Sequence, residues 1–238
     1  MKKRINFKEI IIYEDNDYII INKPAFISSL EDRKDRLNIL KLARNYWPGA
    51  IVCHRLDKDT TGCLVIAKNN MAYKNMALQF QNRKVVKTYH AVVDGVHNFD
   101  QYKIQVPLIS GTGNARVDFK KGKKSETEFR VIKKYRAHTL VECVPLSGRL
   151  HQIRVHLAYL KAPVSGDEKY GGKIFYLSSI KKKYRFSTRK DERPLIKRFA
   201  LHAFSVAFRD MHGKKISCQA PYPDDYRILL SKLDKFGQ

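Results

Sequence analysis

No apolar run in this chain approaches the roughly 20 residues that a membrane-spanning helix needs, and no basic amphipathic helix marks a membrane-surface anchor. The N-terminal stretch MKKRINFKEIIIYED is basic but has no apolar stretch of signal-peptide length, and acids follow at once, so the protein is expected in the cytoplasm. Cysteine is scarce and unpatterned. Cys53, Cys63, Cys143 and Cys218 form no C-x-x-C pair, and no histidine stands at zinc-finger spacing. H-E-x-x-H is also missing, so no metal site is expected, and the cysteines read as reduced, mostly buried small apolar residues. Repeats of solenoid length are lacking too. The most consequential shortage is of acid: 23 Asp and Glu stand against 47 Lys and Arg, a formal net charge of +24.

Such a field draws polyanions, and nucleic acid is the partner it fits best. With 238 residues and 43% hydrophobic composition, the chain can bury a proper core as one domain or two tightly joined halves. DYIIINKP reads as a short buried strand that Lys23-Pro24 ends. LNILKLARNYWPG has helical spacing, and NNMAYKNMALQFQNRK predicts a helix from an Asn cap with Ala72, Met76 and Phe80 on one face. AIVCHR, CLVIAK, VVKTYHAVVDG, YKIQVPLI, ARVDFK, TEFRVIKKY and HTLVECVP read as strands. GRLHQIRVHLAYLKAP is the clearest helix, with Leu150, Ile153, Leu157 and Leu160 as its expected core stripe. FALHAFSVAFRD and KKISCQA suggest a closing hairpin, and DDYRILLSKL a terminal helix. Strands outnumber helices and long helical crossovers are few, which favours an α+β fold with a mainly antiparallel sheet.

HRLDKDTTG, residues 54–62, puts a histidine, two basic side chains and two carboxylates between two apolar runs. A plain turn needs no such density of ionisable groups. On the helix, His151 and Arg154 lie three apart on one face, and a buried Arg wants a carboxylate, which Asp57 or Asp59 could provide. Taken alone, Tyr89 reads as core, Lys23 as an exposed edge residue, and the runs KKGKK and KKKYRFSTRK as solvated loops. On a protein this basic the runs tilt toward phosphate contact, and the aromatics in the second suit stacking on unpaired bases. Composition and pattern give a sheet-rich nucleic-acid binder, not a reaction.

At HRLDKDTTGCLVIAK the sequence resembles the signature of the RluA-type pseudouridine synthases. DYIIINKPAF, KTYHAVVDG, LSGRLHQIRVHLAYLKAPVSGDEKYGG and FALHAFSVAF resemble that family's other segments, in family order, from about residue 16 to 210. There are two departures. Phe26 stands where the family usually has Gly, and Thr61 where it usually has Ser.

The resemblance implies the pseudouridine synthase fold: a mainly antiparallel mixed sheet in two joined halves, flanked by helices and loops, with a central cleft. It also implies a single catalytic domain over 1–238, with no separate N-terminal RNA-binding domain, and a monomer. The implied activity is isomerisation of uridine to pseudouridine in structured RNA, most simply large-subunit (23S) ribosomal RNA, with transfer RNA as the alternative substrate. The implied catalytic residues are Asp57, Arg154 paired with it, and Tyr89, which stacks on the target uracil. Arg55 would fill the gap left by the flipped uridine, with His54 beside it on the RNA side. Ile153 and Leu201 would pack around the base, Lys23 would assist near the cleft, and Lys181, Lys182 and Lys183 would hold phosphate. The reaction needs neither cofactor nor metal, and the partner is an RNA stem-loop, not a membrane. The rival readings are a catalytically silent RNA-binding module of the same fold and a ribonuclease that uses histidine and aspartate.

Overall fold

The computed structural model describes residues 5–31, 37–182, 184 and 192–238. In chain order the elements are β1 (Ile11–Glu14), β2 (Tyr18–Lys23), α1 (Ile39–Tyr46), β3 (Ile51–Val52), β4 (Thr61–Ala67), α2 (Asn70–Gln81) and β5 (Val86–Asp94). Then come β6 (Tyr102–Gln105), β7 (Leu108–Ser110), β8 (Ala115–Val117), β9 (Glu126–Lys134), β10 (His138–Pro145), α3 (Gln152–Tyr159), β11 (Leu201–Arg209), β12 (Lys215–Gln219) and α4 (Asp224–Phe236). The chain folds as two compact units, Met1–Thr88 with His202–Pro221 and Tyr89–Leu201 with Tyr222–Gln238.

In the first unit, β2 pairs antiparallel with β1 and β4, and β3 adds to β4. The parallel contact of β4 with β11, His202 opposite Thr61 and Ala203 opposite Gly62, makes the sheet mixed, and β12 closes it as the expected hairpin. Every residue of β4 is buried, as expected of a near-continuous apolar run covered on both faces. One face packs Tyr18, Ile20, Cys63 and Val65 against Ala72 and Met76 of α2, with Val206 and Phe208 of β11. Burying each such large apolar side chain contributes about 1.5–3 kcal/mol. Asn69 caps α2 by accepting from the Ala72 amide (2.8 Å). At the far end Gln79 acts as a substitute strand, accepting from the Arg209 amide (2.9 Å) and donating to its carbonyl (2.7 Å).

In the second unit, β10 lies antiparallel between β5 and β9, and β6 pairs with β9. The expected strand YKIQVPLI is two: Pro107 separates β6 from β7, and β7 instead pairs with β8 in a separate hairpin. The expected apolar stripe on α3 also differs. Gln152, Ile153, Arg154, Val155, His156 and Leu157 are all buried, whereas Leu150 and Leu160 are only half-buried.

The helix tolerates full burial because its polar side chains are satisfied by distant strands. The His156 ring donates from Nε2 to the Ser125 hydroxyl (3.1 Å) and accepts at Nδ1 from Thr127 (2.9 Å). Burial lowers its pKa to about 4, so it is a neutral core histidine near pH 7. Gln152 spans the start of the helix, donating to the Glu126 carbonyl (2.8 Å) and accepting from Ser147 (2.8 Å).

Candidate active site

The loop between β3 and β4 carries HRLDKDTTG, and its backbone is pinned on both sides of Asp57. On one side Leu56 exchanges two hydrogen bonds with Ser29: its amide donates to Oγ (3.0 Å) and its carbonyl accepts from Oγ (3.0 Å). On the other side the Lys58 carbonyl accepts from Lys23 Nζ (3.1 Å). The Thr60 amide donates to the Asp57 carbonyl (3.1 Å), which closes a tight turn. Leu56 is buried, Asp57 half-buried and Arg55 exposed, so the loop presents its charged members from a fixed backbone.

Lys23 is not the exposed edge residue that its place beside Pro24 suggests. It is fully buried, and its ammonium donates to three carbonyls, those of Pro24 (2.9 Å), Ile27 (2.9 Å) and Lys58. Hydrogen bonds from charged donors contribute about 1.5–3 kcal/mol each, and carbonyls stranded without a partner cost energy. Lys23→Met is therefore expected to destabilise the protein by about 3 kcal/mol, read as a lower urea midpoint at unchanged slope. A loss well under about 1 kcal/mol would mean that the ammonium does not tie the loop down.

His54 turns its ring inward. Nε2 accepts from the Val65 amide (3.1 Å), the ring lies 5.3 Å from that of Phe80, and burial holds its pKa down to about 3. At the end of the loop Gly62 has φ +110°, and a Cβ there would sit 2.1 Å from the Ala203 carbonyl oxygen. Only glycine lets β4 approach β11 this closely. Thr61 next to it donates to His202 Nδ1 (2.8 Å), and His202 Nε2 donates to the Ala220 carbonyl (3.1 Å). Threonine thus supplies the hydroxyl that this position uses. Phe26 has φ +65°, the left-handed region that glycine enters without strain, and its side chain is exposed.

In the second unit Arg154 is almost fully buried, and Asp167 grips one edge of its guanidinium. Nε donates to Oδ2 (2.6 Å) and Nη2 to Oδ1 (2.7 Å), a bidentate pair of nearly buried partners. The plane is also flanked by aromatic rings, Phe199 at 4.1 Å and Tyr170 at 4.9 Å. Tyr170 is fixed in turn: its hydroxyl accepts from the Ala115 amide (3.0 Å) and donates to His151 Nδ1 (2.7 Å). Arg198 ties down the segment bearing Phe199, pairing with Asp225 while its Nη1 donates to the Phe199 and Leu201 carbonyls (3.2 Å each). A guanidinium held this way has its direction set by the protein rather than by solvent.

Tyr89 sits on β5 opposite Cys143 and is buried, as are Ile153 and Leu201. Lys181 and Lys182 are exposed, with Lys181 Nζ 5.5 Å from the Phe236 ring, and Lys183 lies outside the described residues. Asp57, His54, Arg55 and Lys23 thus belong to the first unit, and Tyr89, Arg154, Ile153, Leu201, Lys181 and Lys182 to the second. Ser29, Asp167, Tyr170, Phe199 and Arg198 were not singled out from sequence. The available signal was SGDEKYGG itself, in which two adjacent acids, Asp167 and Glu168, and one tyrosine sit in a glycine-bracketed turn soon after the arginine helix. Among the described residues no group of three or more His, Cys, Asp or Glu is placed to hold a metal ion, and no helix is long and apolar enough to cross a membrane.

Residues 17–159 match the family model described as RNA pseudouridylate synthase. A protein of Buchnera aphidicola subsp. Baizongia pistaciae named ribosomal large subunit pseudouridine synthase C is 36% identical over 239 residues, covering 96% of this chain and 72% of its own length. The Vibrio cholerae protein of the same name is 31% identical, covering 98% and 72%. Among solved structures, human RNA pseudouridylate synthase domain containing 1 aligns with a TM-score of 0.68 at 29% identity, over 90% of this chain and 83% of that one. Human RNA pseudouridylate synthase domain containing 4 gives 0.73 over 96% and 94%, and at 22% identity it speaks to the fold alone.

Proposed function

The chain belongs to the RNA pseudouridylate synthase family, and we propose that Asp57, Tyr89 and Arg154 carry its isomerisation of uridine. The protein is an isomerase acting on RNA. In the reaction the bond from ribose C1′ to N1 of the base breaks, the base turns, and a bond from C1′ to C5 forms; C5 gives up its proton and N1 ends protonated, so the atoms balance. Asp57 is the carboxylate that this chemistry requires, as nucleophile or as the base that starts cleavage. The observation that carries the assignment is the pinned backbone on either side of it, with Leu56 on Ser29 and Lys58 on Lys23. Such anchoring supplies the fixed geometry on which catalytic rates depend.

Arg154 serves the aspartate as an oriented cation, its own direction set by Asp167 and the two rings. Tyr89 stacks on the uracil and takes part in removing the C5 proton. Ile153 and Leu201 pack beside the base. Arg55, exposed on the pinned loop, occupies the space left by the flipped uridine, a step that costs a few kcal/mol in unstacking. Lys181 and Lys182 meet phosphate.

The substrate proposed is large-subunit ribosomal RNA, because relatives of that name match nearly the whole chain. Mapping pseudouridines in total RNA from cells with and without the gene tests this. The expected loss is of one or more pseudouridines in large-subunit rRNA. Loss confined to transfer RNA would overturn the choice of substrate.

A further inference from the structure

After β8 the chain makes a tight turn over Asp118–Gly122, within the basic stretch RVDFKKGKK. Asp118 Oδ1 accepts from the amides of Lys120 (3.0 Å) and Lys121 (2.8 Å), and its carbonyl accepts from the Gly122 amide (2.9 Å). Both ends of the turn are tied to Pro107 and the start of β7: the Asp118 amide donates to the Pro107 carbonyl (3.0 Å), and Lys123 exchanges two bonds with Leu108. A Cβ on Gly122 would lie 2.2 Å from the Asp118 carbonyl oxygen, so the turn closes only with glycine there. The amides of Lys121 and Lys120, with Arg116 at 3.8 Å, hold the Asp118 carboxyl below the usual carboxylate range, so the turn stays intact through neutral pH.

At the tip of this braced turn stands Phe119, 69% exposed, and Met71 is the one large apolar side chain among the described residues that is more so. Arg116, Lys120, Lys121, Lys123 and Lys124 around it are exposed, and the one acid of the stretch is committed to holding the turn. A phenyl ring held out in water amid cations has no packing role in the fold. It does have the two features of a single-strand binding platform, a flat aromatic face and exposed positive charges beside it in the chain.

We infer that Phe119 is a stacking platform for an unpaired base of the RNA, with Lys120 and Lys121 on the flanking phosphates. The inference rests on RNA being the substrate and adds a contact that none of the proposed catalytic residues makes. It also assigns different physics to neighbouring residues: Phe119 binds without releasing counterions, whereas the lysines release them.

The test uses the full chain with a fluorescein-labelled RNA of about 12 mixed-sequence nucleotides, single-stranded or paired to its complement, over a range of salt. Phe119→Ala is expected to weaken single-strand binding about 5- to 150-fold, with the salt slope and duplex binding unchanged. Joint Lys120→Gln and Lys121→Gln substitution is expected to lower the single-strand slope by about 0.7 log units per lost phosphate contact. Phe119→Trp, in a Trp47→Phe background, should retain affinity and lose indole emission as RNA binds. Single-strand binding by Phe119→Ala at wild-type strength, or an equal loss on strand and duplex, would overturn the inference. Pseudouridine formation by the wild-type protein, measured in parallel, separates the two readings, since its absence counts against the enzyme assignment and not against the stacking.

Discussion

Asp57→Asn protein is expected to bind RNA within about twofold of the wild type while forming pseudouridine roughly 10⁴-fold more slowly or not at all. The substitution keeps the size and shape of the side chain and removes only its charge and its nucleophilic oxygen. The side chain is half-buried on a loop whose backbone hydrogen bonds come from Leu56, Lys58 and Thr60, none of which the substitution touches. Folding should therefore survive, checked by an unchanged melting temperature. A large loss restricted to turnover separates chemistry from binding. A parallel loss of RNA affinity would instead make Asp57 a binding residue.

The second large effect is expected away from the reacting atoms. Asp167→Asn should lower kcat about 100-fold with little change in KM, the loss that follows when a reactive group is displaced by about 1 Å. An amide can still accept one hydrogen bond from Arg154, but it loses both the charge and the second acceptor of the bidentate grip. Asp167→Ala is a harsher change. It leaves a buried guanidinium short of its partner, and losses of about 3–5 kcal/mol in stability follow from such breaks. The amide variant is thus the informative one, and Asp167→Glu should recover part of kcat if charge near Arg154 is what matters. A rise in KM with kcat unchanged would place Asp167 on the RNA rather than behind Arg154.

Much of the framework was legible in the sequence because local signals agreed with the fold. The Asn cap and four-residue spacing of α2, the apolar run of β4 and the β11–β12 hairpin all appear where they were expected. What was not legible depended on partners far along the chain. Periodicity made α3 a helix with one apolar stripe, yet its His156 and Gln152 are buried against Ser125, Thr127 and Glu126, some 25 to 31 residues earlier. Lys23 looked exposed because lysine beside proline usually is. Its burial needs three carbonyls that no local rule assembles.

The candidate site shows the same division. The motif order singled out Asp57, Tyr89 and Arg154, but not the residues that hold them. Asp167 stood inside the second signature without a role, because it and its neighbour Glu168 in a glycine-rich turn have no distinctive spacing. Phe26 was noted as a departure, and its positive φ gives the physical content of that departure, a side chain where glycine would fit without strain.

The central claim is that this chain isomerises uridine in RNA without cutting it. It is tested most directly by incubating uniformly labelled large-subunit rRNA with wild-type and Asp57→Asn protein, then measuring both nucleoside composition and chain length. The account predicts pseudouridine at the expense of uridine with the wild type, none with the variant, and full-length RNA throughout. Shortened chains, or unchanged nucleosides in the presence of wild-type protein that binds the RNA, would contradict it.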